Sequence, residues 1–201
     1  MPHIQPFTVT GFHSCDREVG IRVLNGKDHL QPSSNSWDWL GPGTYFWEQN
    51  PLRALEYAEE SSKRKQFNKI PIKIPFVLGA IIDLGNCLNL VEAKSIEIIR
   101  EAYNGLRELK TTLNEKMPVN KGNNRALDCS VMQYINQVNR LQNKQSYDTI
   151  RCAFSEGVEA YPGSNISSRL HIQICVLNPK CIQGYFLPQP IIEFNPYLRA
   201  G

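Results

Sequence analysis

The sequence has no apolar run that approaches the roughly 20 residues needed to cross a bilayer. Its first residues contain neither the basic nor the apolar region of a signal peptide. The net charge of +3 is too small to indicate a nucleic-acid-binding protein by itself. From these three absences we expect a cytoplasmic protein that makes no contact with a membrane.

Short motifs of several common enzyme classes are also absent. There is no Walker-type glycine–lysine loop, no GxGxxG, no GxSxG and no HExxH, so the usual phosphate-loop and hydrolase classes do not fit. The six cysteines are widely spaced and include no CxxC pair. We therefore expect buried free thiols in place of disulfides, and no zinc or other metal site.

What is present is an ordinary globular composition, 41% hydrophobic and 20% charged, in a chain of 201 residues. A chain of that length can bury roughly 70% of the surface that it exposes when unfolded. No internal repeat or low-complexity segment divides it. We predict a single domain that spans residues 1–201.

The apolar pattern predicts an α+β fold, with strands at both ends of the chain and helices mostly in the middle. The strands are predicted over residues 7–12, 44–47, 76–82, 149–154, 170–176 and 181–186. Ser14 and Asn50 are the predicted N-caps of two helices, the first running through Leu24 and the second towards Phe67. Two longer helices, over about residues 92–110 and 125–142, form a central helical insertion at about residues 90–145.

A polar stretch, residues 155–168, lies between two predicted strands and contains Glu156 and Glu159 with two glycines and a proline. An ordered loop of this length inside a compact domain is uncommon and often functional. We interpret it as a long acidic loop that could contribute to a site.

Aromatic residues are concentrated in residues 37–48, which hold all three tryptophans and a Gly41-Pro42-Gly43 turn. The four residues that follow the turn, residues 44–47, are typical of a short aromatic strand. Glycines that leave room beside an aromatic strand suit a binding pocket with a stacking floor. A hydrophobic corner of the core is the other interpretation.

The order of three features resembles a known family. A histidine, His13, follows the first strand, a Gly-x-Gly-x-Tyr-Phe segment follows at residues 41–46, and a carboxylate near a late strand would complete the set. This order resembles the His-Tyr-Glu arrangement of the diphtheria-toxin and poly(ADP-ribose)-polymerase branch of ADP-ribosyltransferases, in particular a small bacterial or phage toxin-like member. The resemblance covers about half of the chain, residues 7–60 and 148–186. It implies an ADP-ribosyltransferase-like split β-sheet core with the helical insertion in the middle.

The resemblance also implies roles for individual residues. His13 would bind a ribose hydroxyl of NAD, Tyr45 would stack on the nicotinamide ring, and a glutamate would stabilise the oxocarbenium-like transition state. The residues expected to hold the nucleotide around them are Phe12, Ser14, Gly43, Thr44, Arg151, His171 and Gln173. Arg151 lies in an otherwise apolar strand, where a phosphate ligand, an ion-pair partner or an edge position would each explain it.

The third catalytic position departs from the family pattern, because the start of the late strand, residues 168–171, contains no carboxylate. Glu156 could fold back from the preceding loop, His171 or Gln173 could take the position, or the chain could bind NAD without turning it over. We favour Glu156, because Gly157 beside it makes the loop flexible.

The function implied is an NAD-dependent ADP-ribosyltransferase, a glycosyltransferase whose substrate is NAD. It would cleave the nicotinamide–ribose bond and transfer ADP-ribose to a protein or nucleic-acid target, and a partner protein that neutralises it is conceivable. Two alternatives stay open. One is a non-catalytic module that binds NAD or ADP-ribose. The other is an RNA-processing protein of the same fold, which the basic residues 63–73 alone support locally.

Overall fold

The computed structural model describes residues 8–63 and 71–199. Within them the strands are β1 (Thr8–Asp16), β2 (Thr44–Glu48), β3 (Pro75–Asp83), β4 (Cys87–Asn89), β5 (Thr149–Glu159), β6 (Ser167–Val176) and β7 (Ile182–Phe186). The helices are α1 (Arg17–Leu24), α2 (Pro51–Lys63), α3 (Ala93–Thr112), α4 (Ala126–Leu141) and α5 (Ile191–Phe194), with a 3-10 turn at Pro179–Cys181. All seven strands join one sheet in the order β4-β5-β6-β2-β1-β3-β7. The predicted α+β class is confirmed.

The sheet consists of two halves that meet at one short pairing. β5, β6 and β2 pair in antiparallel fashion on one side, and β1, β3 and β7 on the other. Between the halves, β1 and β2 pair at Gly11–Glu48 and Phe12–Trp47, with one further hydrogen bond from Gln49 N to Thr10 O. The two central strands therefore separate where His13 and Tyr45 lie.

Helices cover both faces of the sheet because side chains alternate along each strand. Phe46 joins Phe76, Leu78 and Ile174 in a core cluster that includes Val23 of α1. On the opposite face two separate clusters form. One packs α3 and α4 against Ile150 and Cys175, and the other packs α2 against Phe12, Trp47 and Val77.

The helix predictions after the aromatic segment agree with the structure. Asn50 Oδ1 accepts the backbone N–H of Arg53 at 3.0 Å, and Pro51 is the first residue of α2. α3 and α4 begin one residue after the predicted starts at 92 and 125. The predicted continuation of α2 to Phe67, like the first residue of the strand predicted at 7–12, lies outside the described residues.

The predicted end of the first strand is wrong. β1 continues through Asp16 because it stays paired with β3, where Ser14 lies opposite Val77. The N-cap of α1 is therefore Asp16, whose Oδ1 accepts the backbone N–H of Glu18 at 3.0 Å. The Ser14 hydroxyl instead donates to the carbonyl of Ala54 in α2.

The predicted loop over residues 155–168 is also wrong, because most of it is a β-hairpin. β5 and β6 remain paired as far as Glu159 and Ser167, with a bulge after Glu156 at Gly157, where φ is +84°. The arms project into solvent, and Val158 is 74% exposed. A strand solvated on both faces has no apolar alternation, so its sequence resembles a loop. Glu156 is consequently held on a strand.

Three further observations bear on ligands and environment. All six cysteines are free thiols. Among residues 8–63 and 71–199, no three His, Cys, Asp or Glu side chains come together as metal ligands would. In the same part of the chain, no helix combines the length and the apolar character that crossing a membrane requires.

Candidate active site

Backbone groups of β1 face the gap at the centre of the sheet, where β1 and β2 separate. Hydrogen-bonded pairs alternate along an antiparallel ladder. Gln49 N donates to Thr10 O at 2.9 Å, so the next bonded pair is Phe12 with Trp47. The next hydrogen-bonding position on β1 is two residues further on, at Ser14, which lies beyond the end of the β1–β2 ladder. Its backbone N–H and C=O therefore face the gap between the strands.

His13 bridges this gap with its side chain. The His13 Nδ1 lies 2.8 Å from the backbone oxygen of Tyr45. A carbonyl oxygen can only accept, so Nδ1 carries the proton and donates. Burial lowers the pKa of His13, against the smaller opposing effect of the Tyr45 hydrogen bond. The ring is thus neutral, and its Nε2 is an acceptor with no hydrogen-bond partner among the described residues.

Tyr45 closes the preceding turn with its hydroxyl. The hydroxyl donates to Gly41 O at 2.7 Å and accepts from Leu40 N at 3.0 Å. Burial raises the pKa of Tyr45, so the phenol stays protonated. The ring is half-buried and packs against the cluster that α3 and α4 form with Cys175. Tyr45 therefore orders the turn at the edge of the site.

Gly43 and Thr44 serve the packing of β2 on β6. A Cβ at Gly43 would lie 2.5 Å from Cys175 Sγ and 2.8 Å from Val176 O. Thr44 is buried opposite Val176. The space beside Gly43 is thus filled by the neighbouring strand.

Phe12 and Ser14 fix α2 beside the gap. The Phe12 ring meets the Phe186 ring edge to face at 6.0 Å and belongs to the cluster beneath α2. With the Ser14 hydroxyl bonded to Ala54, the first turn of α2 is held over the point where the strands separate.

Glu156 is paired with an arginine of α2. Its Oε2 lies 2.8 Å from Nη2 of Arg53, whose side chain is only 7% exposed against 29% for Glu156. Glu156 is also opposite Arg169 in the β5–β6 pairing. A second acid, Glu56, is 3.7 Å from Arg53 Nη1 and 3.8 Å from Arg169 Nε. The carboxylate predicted for catalysis is therefore held in a network of charges.

His171 and Gln173 form a pair on β6 beside Glu156. The His171 Nδ1 donates to Arg169 O at 2.8 Å, so its Nε2 accepts from Gln173 Nε2 at 3.1 Å. Burial lowers the pKa of His171, while the charges of Glu156 and Arg53 act on it in opposite directions. Both ring nitrogens are occupied, which makes His171 a neutral support for Gln173.

Arg151 forms an ion pair in place of a free phosphate ligand. Its Nε and Nη2 bind the two carboxylate oxygens of Glu48 at 2.6 and 2.9 Å, and Nη1 donates to Asn89 at 3.2 Å. The pair is largely buried and links β5 to β2 across β6. The partner interpretation of Arg151 thus accounts for its place in an apolar strand.

The structure brings the predicted residues together in two groups. His13 contacts Tyr45 at the gap, and Glu156 lies with His171 and Gln173 on the paired strands β5 and β6. Arg53, which binds Glu156 and precedes the residue that Ser14 binds, was missed from the sequence. A signal was available, because an arginine in the first turn of a helix opposes the helix dipole and needs another reason to be there.

A groove of about 580 Å³ lies elsewhere, between the Leu40–Pro42 turn and α4, and residues 177–179 also line it. Its lining includes Gly41 but none of His13, Tyr45 and Glu156. It therefore touches the turn that Tyr45 orders without including the residues predicted to carry the chemistry.

Comparison with known proteins gives one distant relative. No family model matches the chain. An uncharacterized protein of Methanocaldococcus jannaschii, MJ0359, is 25% identical over 210 residues, which cover 94% of this chain and 92% of that protein. No solved structure matches. The similarity extends along nearly the whole length of both chains and carries no functional information.

Proposed function

We propose that the chain is an ADP-ribosyltransferase-like protein that cleaves NAD at the nicotinamide–ribose bond and transfers ADP-ribose to a protein or nucleic-acid target. The observation that carries the proposal is His13, a neutral imidazole held across the gap between β1 and β2 by the Tyr45 carbonyl. The sheet in two halves supports the split β-sheet core that the family resemblance implies. The His13 ring thus contacts the backbone of Tyr45, which belongs to the Gly-x-Gly-x-Tyr-Phe segment, the most specific part of the resemblance.

The gap has the groups that a nicotinamide riboside requires. His13 Nε2 can accept a hydrogen bond from a ribose hydroxyl. The backbone N–H and C=O of Ser14 can pair with the oxygen and nitrogen of the carboxamide. The half-buried Tyr45 ring can stack on the nicotinamide, a contact of about 1 kcal/mol beyond its buried area.

Transfer would begin when the bond between C1′ of the ribose and the nicotinamide nitrogen breaks and its electron pair leaves with nicotinamide. The ribose then carries oxocarbenium-like charge, which a nearby carboxylate stabilises. An acceptor atom of the target forms the new bond to C1′ and gives its proton to a base. Glu156 is the candidate carboxylate, because His171 has both nitrogens occupied.

Release of nicotinamide tests this proposal. The purified protein is incubated with NAD and a cell extract as the source of acceptors, and nicotinamide is measured by chromatography. We expect release by the wild type, loss with Tyr45→Ala, and retention with Tyr45→Phe, which keeps the ring. Circular dichroism of both variants separates loss of stacking from loss of fold.

A non-catalytic NAD- or ADP-ribose-binding module is the second candidate. It is favoured by the ion pair of Glu156 with Arg53 and by the lack of any acid at the start of β6. NAD binding without nicotinamide release would support it over the transferase. The basic segment that favours an RNA-processing protein lies largely outside the described residues.

A further inference from the structure

Three buried N–H groups without acceptors belong to two neighbouring side chains beneath α2. They are Nε and Nη1 of Arg53 and Nε1 of Trp47, none of which has a hydrogen-bond partner among the described residues. Arg53 and Trp47 are 7% and 5% exposed, and Arg53 Cζ lies 5.9 Å from the Trp47 ring centre. Each unpaired buried donor costs about 1–3 kcal/mol. An acceptor-rich group would satisfy these donors.

Glu156 holds one edge of the Arg53 guanidinium. It occupies Nη2 at 2.8 Å, while Glu56 at 3.7 Å from Nη1 is too distant for a hydrogen bond. A guanidinium has two edges that bind in two-pronged fashion, Nε with Nη2 and Nη1 with Nη2. Nη2 has two N–H groups, one on each edge, and Glu156 accepts from one of them. An anion bound at the other edge would lie beside the Glu156 carboxylate, and the repulsion between the two negative charges would displace Glu156.

The displacing group must be an anion. Arg53 is buried and always charged, and removal of the partner of a buried charge costs about 3–5 kcal/mol. A carboxamide or a hydroxyl could supply acceptors but could not replace the lost negative charge. Phosphate oxygens match the guanidinium fork. Glu156, at 29% exposed, can turn into solvent, whereas Arg53 is held within the fold.

We propose that Arg53 and Trp47 form an oxyanion subsite for the diphosphate of a dinucleotide, and that Glu156 occupies this subsite until the diphosphate arrives. The choice of NAD as the dinucleotide rests on the proposed function. The subsite adjoins the β1–β2 gap, because the residue after Arg53 is Ala54, which Ser14 binds. Displacement also releases the Glu156 carboxylate, so arrival of the diphosphate frees the acid that the transfer requires.

Inorganic pyrophosphate tests the subsite without nicotinamide or ribose. Its dissociation constant is measured by calorimetry for the wild type and for variants with an unchanged fold by circular dichroism. We expect Glu156→Gln, which keeps the shape but removes the charge, to bind about tenfold tighter, a change of ~1.4 kcal/mol. Arg53→Gln and Arg53→Lys should each bind at least about tenfold more weakly, since both lose the fork.

Two further variants sharpen the result. Trp47→Phe removes one donor while keeping an aromatic ring, and should weaken pyrophosphate binding severalfold. Arg107→Gln removes an exposed arginine of α3 that lies outside the site, and should leave binding unchanged. The subsite is overturned if Glu156→Gln fails to tighten binding, if Arg53→Gln binds as the wild type does, or if no variant binds at ~10 mM.

The result also separates the subsite from the proposed function. If the variants bind pyrophosphate as predicted but the protein releases no nicotinamide, the subsite is supported and the transferase is contradicted. If the protein releases nicotinamide but substitution of Arg53 or Glu156 leaves pyrophosphate binding unchanged, the transferase is supported and the subsite is contradicted.

Discussion

His13 is held as a neutral imidazole whose single proton points at the Tyr45 carbonyl. This arrangement leaves one acceptor, Nε2, at the point where the sheet opens. Protonation of Nε2 would remove that acceptor and bury a charge. The arrangement therefore requires conditions that keep His13 neutral. The same holds for His171, because both of its ring nitrogens form hydrogen bonds with neighbouring groups.

Stability should fall in acid because of these two histidines. Burial lowers the pKa of both below the ordinary value of 6.5, so between the folded and unfolded pKa values the unfolded chain binds more protons. The free energy of unfolding then rises with pH across that window. We expect it to decline as the pH drops from 6.5 through the folded pKa values.

Urea unfolding at a series of pH values measures this decline. His13→Gln should flatten the slope of unfolding free energy against pH by the part that His13 contributes. His29→Gln, at an exposed position, serves as the control. A free energy of unfolding that is constant, or that increases, below pH 6.5 would show that the two rings are charged in the fold.

At the scale of elements, the site depends on how closely β2 packs against β6. Gly43 is the point of closest approach, because the atoms that a Cβ would meet are Cys175 Sγ and the backbone of Val176. The backbone cannot move aside as a flexible side-chain end could. This contact sets the position of Tyr45, two residues further along β2.

Gly43→Ala should therefore destabilise the protein by about 1–3 kcal/mol, the usual range for overpacking. Gly184→Ala in β7 is the matched control, because a Cβ there meets nothing within 4 Å, and its effect should stay within about 0.5 kcal/mol. Denaturant midpoints of both variants measure the difference. Equal midpoints would mean that β2 and β6 are not packed this closely.

The elements also show what the sequence could and could not predict. The Asn50-Pro51 start predicts α2, and the apolar spacing predicts α3 and α4. The continuous apolar run predicts the buried strand β3. The outer part of the β5–β6 hairpin, within residues 155–168, escaped prediction because its arms are solvated and its residues polar. The short strand β4 has too few residues to form a pattern.

At the scale of the whole molecule, the two halves of the sheet meet at the site. The order of motifs along the sequence was enough to associate His13 with Tyr45, because His13 lies in the first strand and Tyr45 in the strand that follows the glycine turn. The ion pairs of Arg53 with Glu156 and of Arg151 with Glu48 each join positions 103 residues apart. No local pattern contains such a pairing, so the strand neighbours and the charge network had to come from the structure. The single-domain organisation and the cytoplasmic location stay predictions.

Calorimetric titration with NAD tests the central claim most directly, because binding at the gap must precede any transfer. We predict saturable binding at millimolar NAD or below, weakened by His13→Ala and by Tyr45→Ala and little changed by Arg107→Gln. Absence of any heat of binding at ~10 mM NAD in the folded wild-type protein would contradict both the transferase and the NAD-binding module.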